Sequence, residues 1–219
     1  MISCLCVTHE RPEFMPWLEH QFWKQVGSCI DKELIIIDSS AVPYVGLGAD
    51  VRVIHRPDLP GISAKRTLAL KITRDEFITW FDDDDWQHPY KLKGALNLFR
   101  DISNIDAVGS RTALMYSTLT GKCSYYESRY EPIIFNSAVY RKSEVPPTFN
   151  ESLVTGEDTD WQMRFFETKP NFITLGEPQH AWLCHTKNVT NKSSSKFFER
   201  ANTIPFDDWE REFLAKLYT

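Results

Sequence analysis

The chain has 219 residues, 42% of them hydrophobic and 25% charged, with a net charge of −5 at neutral pH. These values suit one domain with a real core, give no support for broad nucleic-acid binding, and leave no apolar run near the length of a membrane span. Five cysteines without CxxC spacing read as reduced thiols. The direct entry into Ile2-Ser3-Cys4-Leu5-Cys6-Val7 argues against a signal peptide, so the expected location is cytoplasmic. Residues 2–7 read as a first strand with Cys4 and Cys6 on one face. Phe14, Leu18 and Phe22 recur at four-residue spacing and predict a helix over about 13–25. Glu33 to Asp38 is nearly all apolar, as in a strand covered on both faces, and Val51 to Ile54 is a short third strand. Ser63 can cap a helix carrying Leu68 and Ile72. Phe77 to Phe81 is a fourth strand that runs into Asp82-Asp83-Asp84-Asp85. Strand-like pieces follow near 106–116, 123–127 and 133–140, with Thr120-Gly121 as a hairpin turn. A helix follows Gly156 and a strand covers 172–175. A last amphipathic helix carries Trp209, Phe213 and Leu217, with Asp207 and Glu210 as a capping-box-like start. Lys187 to Lys196 is polar and reads as a loop. No internal repeat and no second core is legible.

Alternating strands and helices define an α/β unit, and in such sheets ligands bind beyond the carboxyl ends of the strands. Four aspartates at such an end form either a solvated acidic turn or a set of hard oxygen ligands for Mg²⁺ or Mn²⁺ that would bridge a diphosphate. The apolar strand before them aims them at the expected crevice and favours the second reading. Gly156-Glu157-Asp158-Thr159-Asp160-Trp161-Gln162-Met163-Arg164 is the other acidic segment. Its plain reading is the favourable first turn of a helix.

Several motifs in order resemble a family-two GT-A glycosyltransferase. Cys6-Val7-Thr8-His9-Glu10-Arg11-Pro12 is similar to that family's opening strand and turn, and Glu33-Leu34-Ile35-Ile36-Ile37-Asp38-Ser39-Ser40 to its second strand. Gly61-Ile62-Ser63-Ala64-Lys65-Arg66-Thr67 resembles its Gly-x-Ser-x-Ala-Arg-Asn helix start. Phe77 to Asp85 resembles the strand leading into its Asp-x-Asp motif, and Gly156 to Arg164 its Gly-Glu-Asp-x-Asp-x-x-x-Arg segment. The departures are Glu10 for an asparagine, Ser39 for a second aspartate, and Lys65 and Thr67 around the arginine.

The resemblance implies a single GT-A domain over 1–219 with a mostly parallel central sheet, residues 1–105 holding a nucleotide sugar and 106–219 the acceptor. It implies that Thr8, His9 and Glu10 border the nucleoside, Asp38 meets the base edge, and Arg66 approaches the phosphates. Asp82 touches the ribose or metal shell, Asp83 lies with the donor residues, and Asp84 ligates Mn²⁺ or Mg²⁺. His185 completes the metal shell, with His180 competing for that role. Glu157 meets the acceptor or donor sugar, and Lys187 and Lys192 close over the diphosphate. Transfer with inversion needs a base for the acceptor hydroxyl, and Asp158 is placed there. The implied donor is UDP-linked and its sugar hexose-type, by family habit. The acceptor is left open between a glycan precursor, a protein side chain and a hydroxyl-bearing nucleic-acid base. Tyr125, Tyr126, Tyr130 and Tyr140 are candidates for its wall. A catalytically inactive sugar-nucleotide-binding module and a metal phosphohydrolase are the alternatives.

Overall fold

The computed structural model describes residues 1–27, 31–59, 61–129, 131–185 and 203–217. In chain order the elements are β1 (Ile2–Thr8), α1 (Met15–Trp23), β2 (Lys32–Asp38), β3 (Val51–His55), α2 (Ile62–Ile72), β4 (Phe77–Trp80), β5 (Trp86–Gln87) and α3 (Lys91–Asp101). They continue with β6 (Ala107–Ser110), β7 (Thr112–Ser117), β8 (Cys123–Glu127), β9 (Val139–Arg141), α4 (Glu157–Glu167), β10 (Phe172–Leu175), β11 (His180–Cys184) and α5 (Asp208–Leu217). Seven strands form the main sheet in the order β10-β6-β9-β4-β1-β2-β3. Every neighbouring pair in it is parallel except those of β9, which runs antiparallel to both β4 and β6.

Alternation along the central strands explains why both of their faces are apolar. Cys4, Cys6, Leu34 and Ile36 point to one side, where they pack with Phe14, Leu18 and Phe22 around α1 and with Leu92, Ala95 and Phe99 of α3. Leu5, Ile35 and Ile37 point to the other, against Ala69 and Leu70 of α2 and Trp161 and Phe165 of α4. Helices on both faces remove the water that would otherwise select polar residues, so the strands read as continuous hydrophobic runs.

Two local expectations change. Ser63 lies inside α2 and its hydroxyl donates to the Leu153 carbonyl (3.4 Å), while the helix starts at Gly61 with φ 80° and no side-chain cap. The sequence reading also passed over α3, β5 and β11. β5 and β11 belong to a second sheet, ordered β5-β11-β7-β8, with its own core of Trp17, Trp86, Leu114, Leu183, Phe206 and Leu214 among others. The hairpin between β7 and β8 turns at Gly121 (φ 66°) as expected. α5 begins with a reciprocal capping box: Glu210 N–H donates to Asp207 Oδ1 and Asp207 N–H to Glu210 Oε2, both at 2.8 Å. Among the described residues no helix is long and apolar enough to cross a membrane.

The topology opens a crevice at one end of the sheet's central strands. The chain builds β1, β2 and β3 outward in one direction, then returns to lay β4 on the other side of β1. Connections therefore leave the carboxyl ends of β1 and β4 in opposite directions and open a crevice between them. Thr8 ends β1, and the four aspartates follow β4.

Candidate active site

Four carboxylates in one turn repel, and the fold compensates each of them. Asp82 accepts Arg66 Nη2 (3.1 Å) and Asn136 Nδ2 (2.7 Å). Asp83 accepts Thr8 Oγ1 and Arg11 Nη1, both at 2.7 Å. Asp84 accepts Arg11 Nη2 (2.6 Å) and His185 Nε2 (3.1 Å), and Asp85 accepts Asn136 Nδ2 (3.2 Å). Aromatic faces steady the cations: Arg11 lies 4.3 Å over Phe14, and Arg66 5.0 Å over Phe135. The His185 ring stacks on Phe14 at 5.1 Å, so one aromatic ring orders both groups that reach Asp84. Burial, with the Asp84 charge alongside, holds Asp83 above the usual carboxylate range. Burial also pushes Asp84 up, but the hydrogen bond from His185 and the Arg11 charge outweigh it, and Asp84 sits below that range.

This turn floors a cleft of about 870 Å³. The opposite wall is the start of α4. Gly156 takes φ 75°, a left-handed conformation that swings the chain into the helix and points its first turn at the aspartates. Glu157 is buried and accepts Arg66 Nη1 at 2.9 Å, so one guanidinium joins the two walls. Asp158 is half-buried and lines the cleft, and its Oδ1 accepts the N–H of Thr159 (2.7 Å).

Thr8, His9, Arg66, Asp82, Asp83, Asp84, Glu157 and Asp158 all line this cleft. Glu10 and Asp38 stand outside the lining. Glu10, at φ 51°, accepts the Ala41 N–H (2.6 Å) while its own N–H donates to Ser40 Oγ (2.7 Å). Asp38 accepts the N–H groups of Ser40 and Tyr44, each at 2.8 Å, so both of its oxygens anchor the loop after β2. His185 is the histidine beside Asp84; His180 lies edge-on to Trp182 at 4.8 Å. Lys187, Lys192 and Tyr130 lie outside the described residues.

The expected trio of Asp82, Asp84 and His185 does not converge, because Asp82 is turned to Arg66 and Asn136. Among the described residues, the group of three such side chains with ligand atoms within 4.8 Å of one another is His20, Asp207 and Glu210, which includes the α5 capping box. The cleft does offer a pair whose chemistry suits Mn²⁺ or Mg²⁺, a carboxylate oxygen and an imidazole nitrogen 3.1 Å apart.

Sequence reasoning assigned no role to Arg11, Lys65, Glu131, Asn136 or Trp182. Lys65 Nζ donates to the Thr8 carbonyl and to Ser39 Oγ, each at 3.0 Å, tying the first two loops together. Asn136 had a readable signal: an asparagine inside the apolar stretch Ile133 to Tyr140 must find polar partners. Carboxylates only accept, so its amide nitrogen faces Asp82 and Asp85, and its Oδ1 is left buried without a partner.

The sequence profile of glycosyl transferase family 2 matches residues 24–151. The chain therefore belongs to glycosyl transferase family 2, and its mostly parallel sheet with helices on both faces is the GT-A fold. A search of curated proteins finds no match. Among solved structures it is similar to S. aureus TarS 1-349 in complex with UDP-GlcNAc, at 16% identity and TM-score 0.66 over 85% of this chain and 59% of that one. The TarS 1-349 complex with UDP matches at 16% identity and TM-score 0.64, over 83% of this chain and 60% of that one. Mannosyltransferase PcManGT from Pyrobaculum calidifontis, in complex with GDP-Man and Mn²⁺, matches at 10% identity and TM-score 0.59 over 85% of this chain and 57% of that one. The chain spans about 60% of the length of the TarS 1-349 structures it matches. At these identities the likeness speaks for the fold.

Proposed function

We propose that the chain transfers a hexose-type sugar from a nucleotide sugar to an acceptor hydroxyl, with inversion and with a divalent metal bound. The observation that carries this reading is the pairing of an acidic turn at the β1/β4 crevice with a second, open carboxylate, Asp158, on the facing wall. Residues 1–105 would form the donor half and 106–219 the acceptor half. Thr8 and His9 border the nucleoside, braced from behind by Glu10 and Asp38. Arg66 faces the phosphates from the start of α2, where helix amides also favour anions.

Asp84 and His185 would hold Mn²⁺ or Mg²⁺, which offsets the charge that builds on the leaving diphosphate. Asp158 takes the proton of the acceptor hydroxyl as its oxygen bonds to the anomeric carbon and the bond from that carbon to the diphosphate breaks. The nucleoside diphosphate leaves with the electron pair. Glu157, locked on Arg66, sets the distance between the walls. A UDP donor is supported by the TarS complexes with UDP and UDP-GlcNAc, while the GDP-Man complex of PcManGT makes guanine the competitor.

The test is binding and slow hydrolysis across a panel of nucleotide sugars with Mn²⁺, Mg²⁺ or chelator, using native protein, Asp84→Ala and Asp158→Asn. One donor should bind with metal, Asp84→Ala should lose that binding, and Asp158→Asn should bind without turnover. Failure of every nucleotide sugar to bind under any metal condition would overturn the reading.

A further inference from the structure

Acidic groups line both walls of the cleft, but the described cations sit on one of them. Its cations are Arg11, Lys65 and Arg66, all on the donor side, where a diphosphate needs them. Among the described residues, no lysine or arginine after position 105 lines the cleft, and the acids that do are Glu131, Glu157 and Asp158. Alternation in the second sheet supplies the rest of that wall. Leu114, Cys123 and Ala181 face its own core, so the intervening Met115, Tyr126 and Trp182 face the other way, and all three line the cleft. Met115 sits directly opposite Trp182 across the β7–β11 pair, and the Tyr126 ring meets Trp182 edge-to-face at 5.2 Å.

We propose that the acceptor is an uncharged saccharide whose ring packs into the corner made by Trp182 and Tyr126 and whose hydroxyls meet Asp158 and Glu131, and that this wall discriminates against anionic acceptors. This rests on the donor-and-acceptor reading above. A sugar ring has C–H faces that match an aromatic platform and O–H groups at its edge. Carboxylates can only accept, so they match those hydroxyls. Burial, reinforced by the Asp158 charge, raises the Glu131 carboxyl, which marks how close the two acids are electrically. A hydroxylated base in a nucleic acid could stack on the same rings, but it would bring phosphates against Glu131 and Asp158 with no described cation on that wall. Of the three described tyrosines considered from sequence, Tyr126 lines the cleft, whereas Tyr140 is fully buried and Tyr125 is exposed and outside the lining.

The experiment uses the full chain with the donor found by the panel above. Acceptors are neutral methyl glycosides and neutral disaccharides, hexuronate-containing disaccharides of the same size, and an oligonucleotide bearing a hydroxymethylated base. Product is identified by mass. Neutral saccharides should be glycosylated, with kcat/KM for hexuronate counterparts lower by about tenfold or more. Trp182→Ala should raise the acceptor KM about threefold to tenfold, the size of one aromatic contact, with Trp182→Phe recovering most of it. Glu131→Gln should narrow the gap between neutral and anionic acceptors. Preference for hexuronates or for the oligonucleotide would overturn the proposal, as would a donor that turns over while no neutral saccharide is accepted. So would Trp182→Ala and Glu131→Gln that leave acceptor KM and charge selectivity unchanged. If no donor binds at all, the glycosyltransferase reading itself fails, which is a separate outcome.

Discussion

Two acidic segments face each other across the cleft, and they are built in opposite ways. In the turn after β4, all four carboxylates are held by donors from distant parts of the chain: Arg11, Arg66, Thr8, Asn136 and His185. At the head of α4, Glu157 is held by Arg66, whereas Asp158 bonds to its neighbour Thr159 and stays partly open to the cleft. Charges that are locked in place can position a cation or a diphosphate without rearranging. A base must be free to approach a hydroxyl and accept its proton. Under the proposed function, similar residues would serve different ends because one group is wired into the fold and the other is not.

The sharpest way to break this comparison is to neutralise the open member. Asp158→Asn keeps the shape and the helix start but removes the proposed proton acceptor. Transfer should fall about 10²–10⁴-fold in kcat with donor affinity little changed. Steady-state kinetics beside donor titration separates the two. An equal loss of donor binding would place Asp158 among the wired group.

Next in size is the guanidinium that joins the walls. Arg66→Met leaves Glu157 buried and Asp82 half-paired, and removing one partner of a buried ion pair destabilises by about 3 kcal/mol or more. Urea unfolding should show this as a lower midpoint. Adding Glu157→Gln should recover part of the loss, because the stranded charge is gone. Additive losses in the double variant would mean that the two walls are energetically independent.

A smaller effect is expected at Asn136, whose one amide group spans Asp82 and Asp85. Asn136→Ala should loosen the turn without touching Asp84. Mn²⁺ affinity, read by electron paramagnetic resonance in the presence of nucleoside diphosphate, should fall about threefold to tenfold, less than for a direct partner of a metal ligand. Unchanged affinity would mean that the turn holds its shape through its remaining partners, without Asn136.

Much of this wiring was not legible in the sequence, and the reasons are physical. The strands β1, β2, β4 and β10 were readable because apolar runs bounded by polar turns are local signals. The α5 capping box was readable for the same reason, since Asp207 and Glu210 are three residues apart. The α3 spacing of Leu92, Ala95 and Phe99 is also a local signal. By contrast, the second sheet rests on pairing β11 with β7, 67 residues away, and β9 reverses direction within a parallel sheet. Nothing within Val139–Arg141 encodes that direction. Motif spacing located the two acidic segments, while the partners that fix them, Arg11 and Asn136, come from contacts spanning 73 and 54 residues.

Asp38 gives the mildest test, and it distinguishes bracing from contact with the base. Burial alone would raise its carboxyl, but hydrogen bonds from Ser40 and Tyr44 outweigh that, and its pKa lies below the ordinary 3.8. A carboxylate depressed in the folded state adds stability that is fully present above its unfolded pKa and is lost as pH falls through the folded one. Acid titration of the unfolding midpoint should therefore steepen below about pH 4, and Asp38→Asn should flatten that limb. At neutral pH the variant should be less stable by about 1–3 kcal/mol, because the amide can accept from one loop N–H and strands the other. Donor affinity should drop only as far as the loop loosens. Loss of donor binding at unchanged stability would put Asp38 against the base after all, and the loop would then have to open for the nucleotide to reach it.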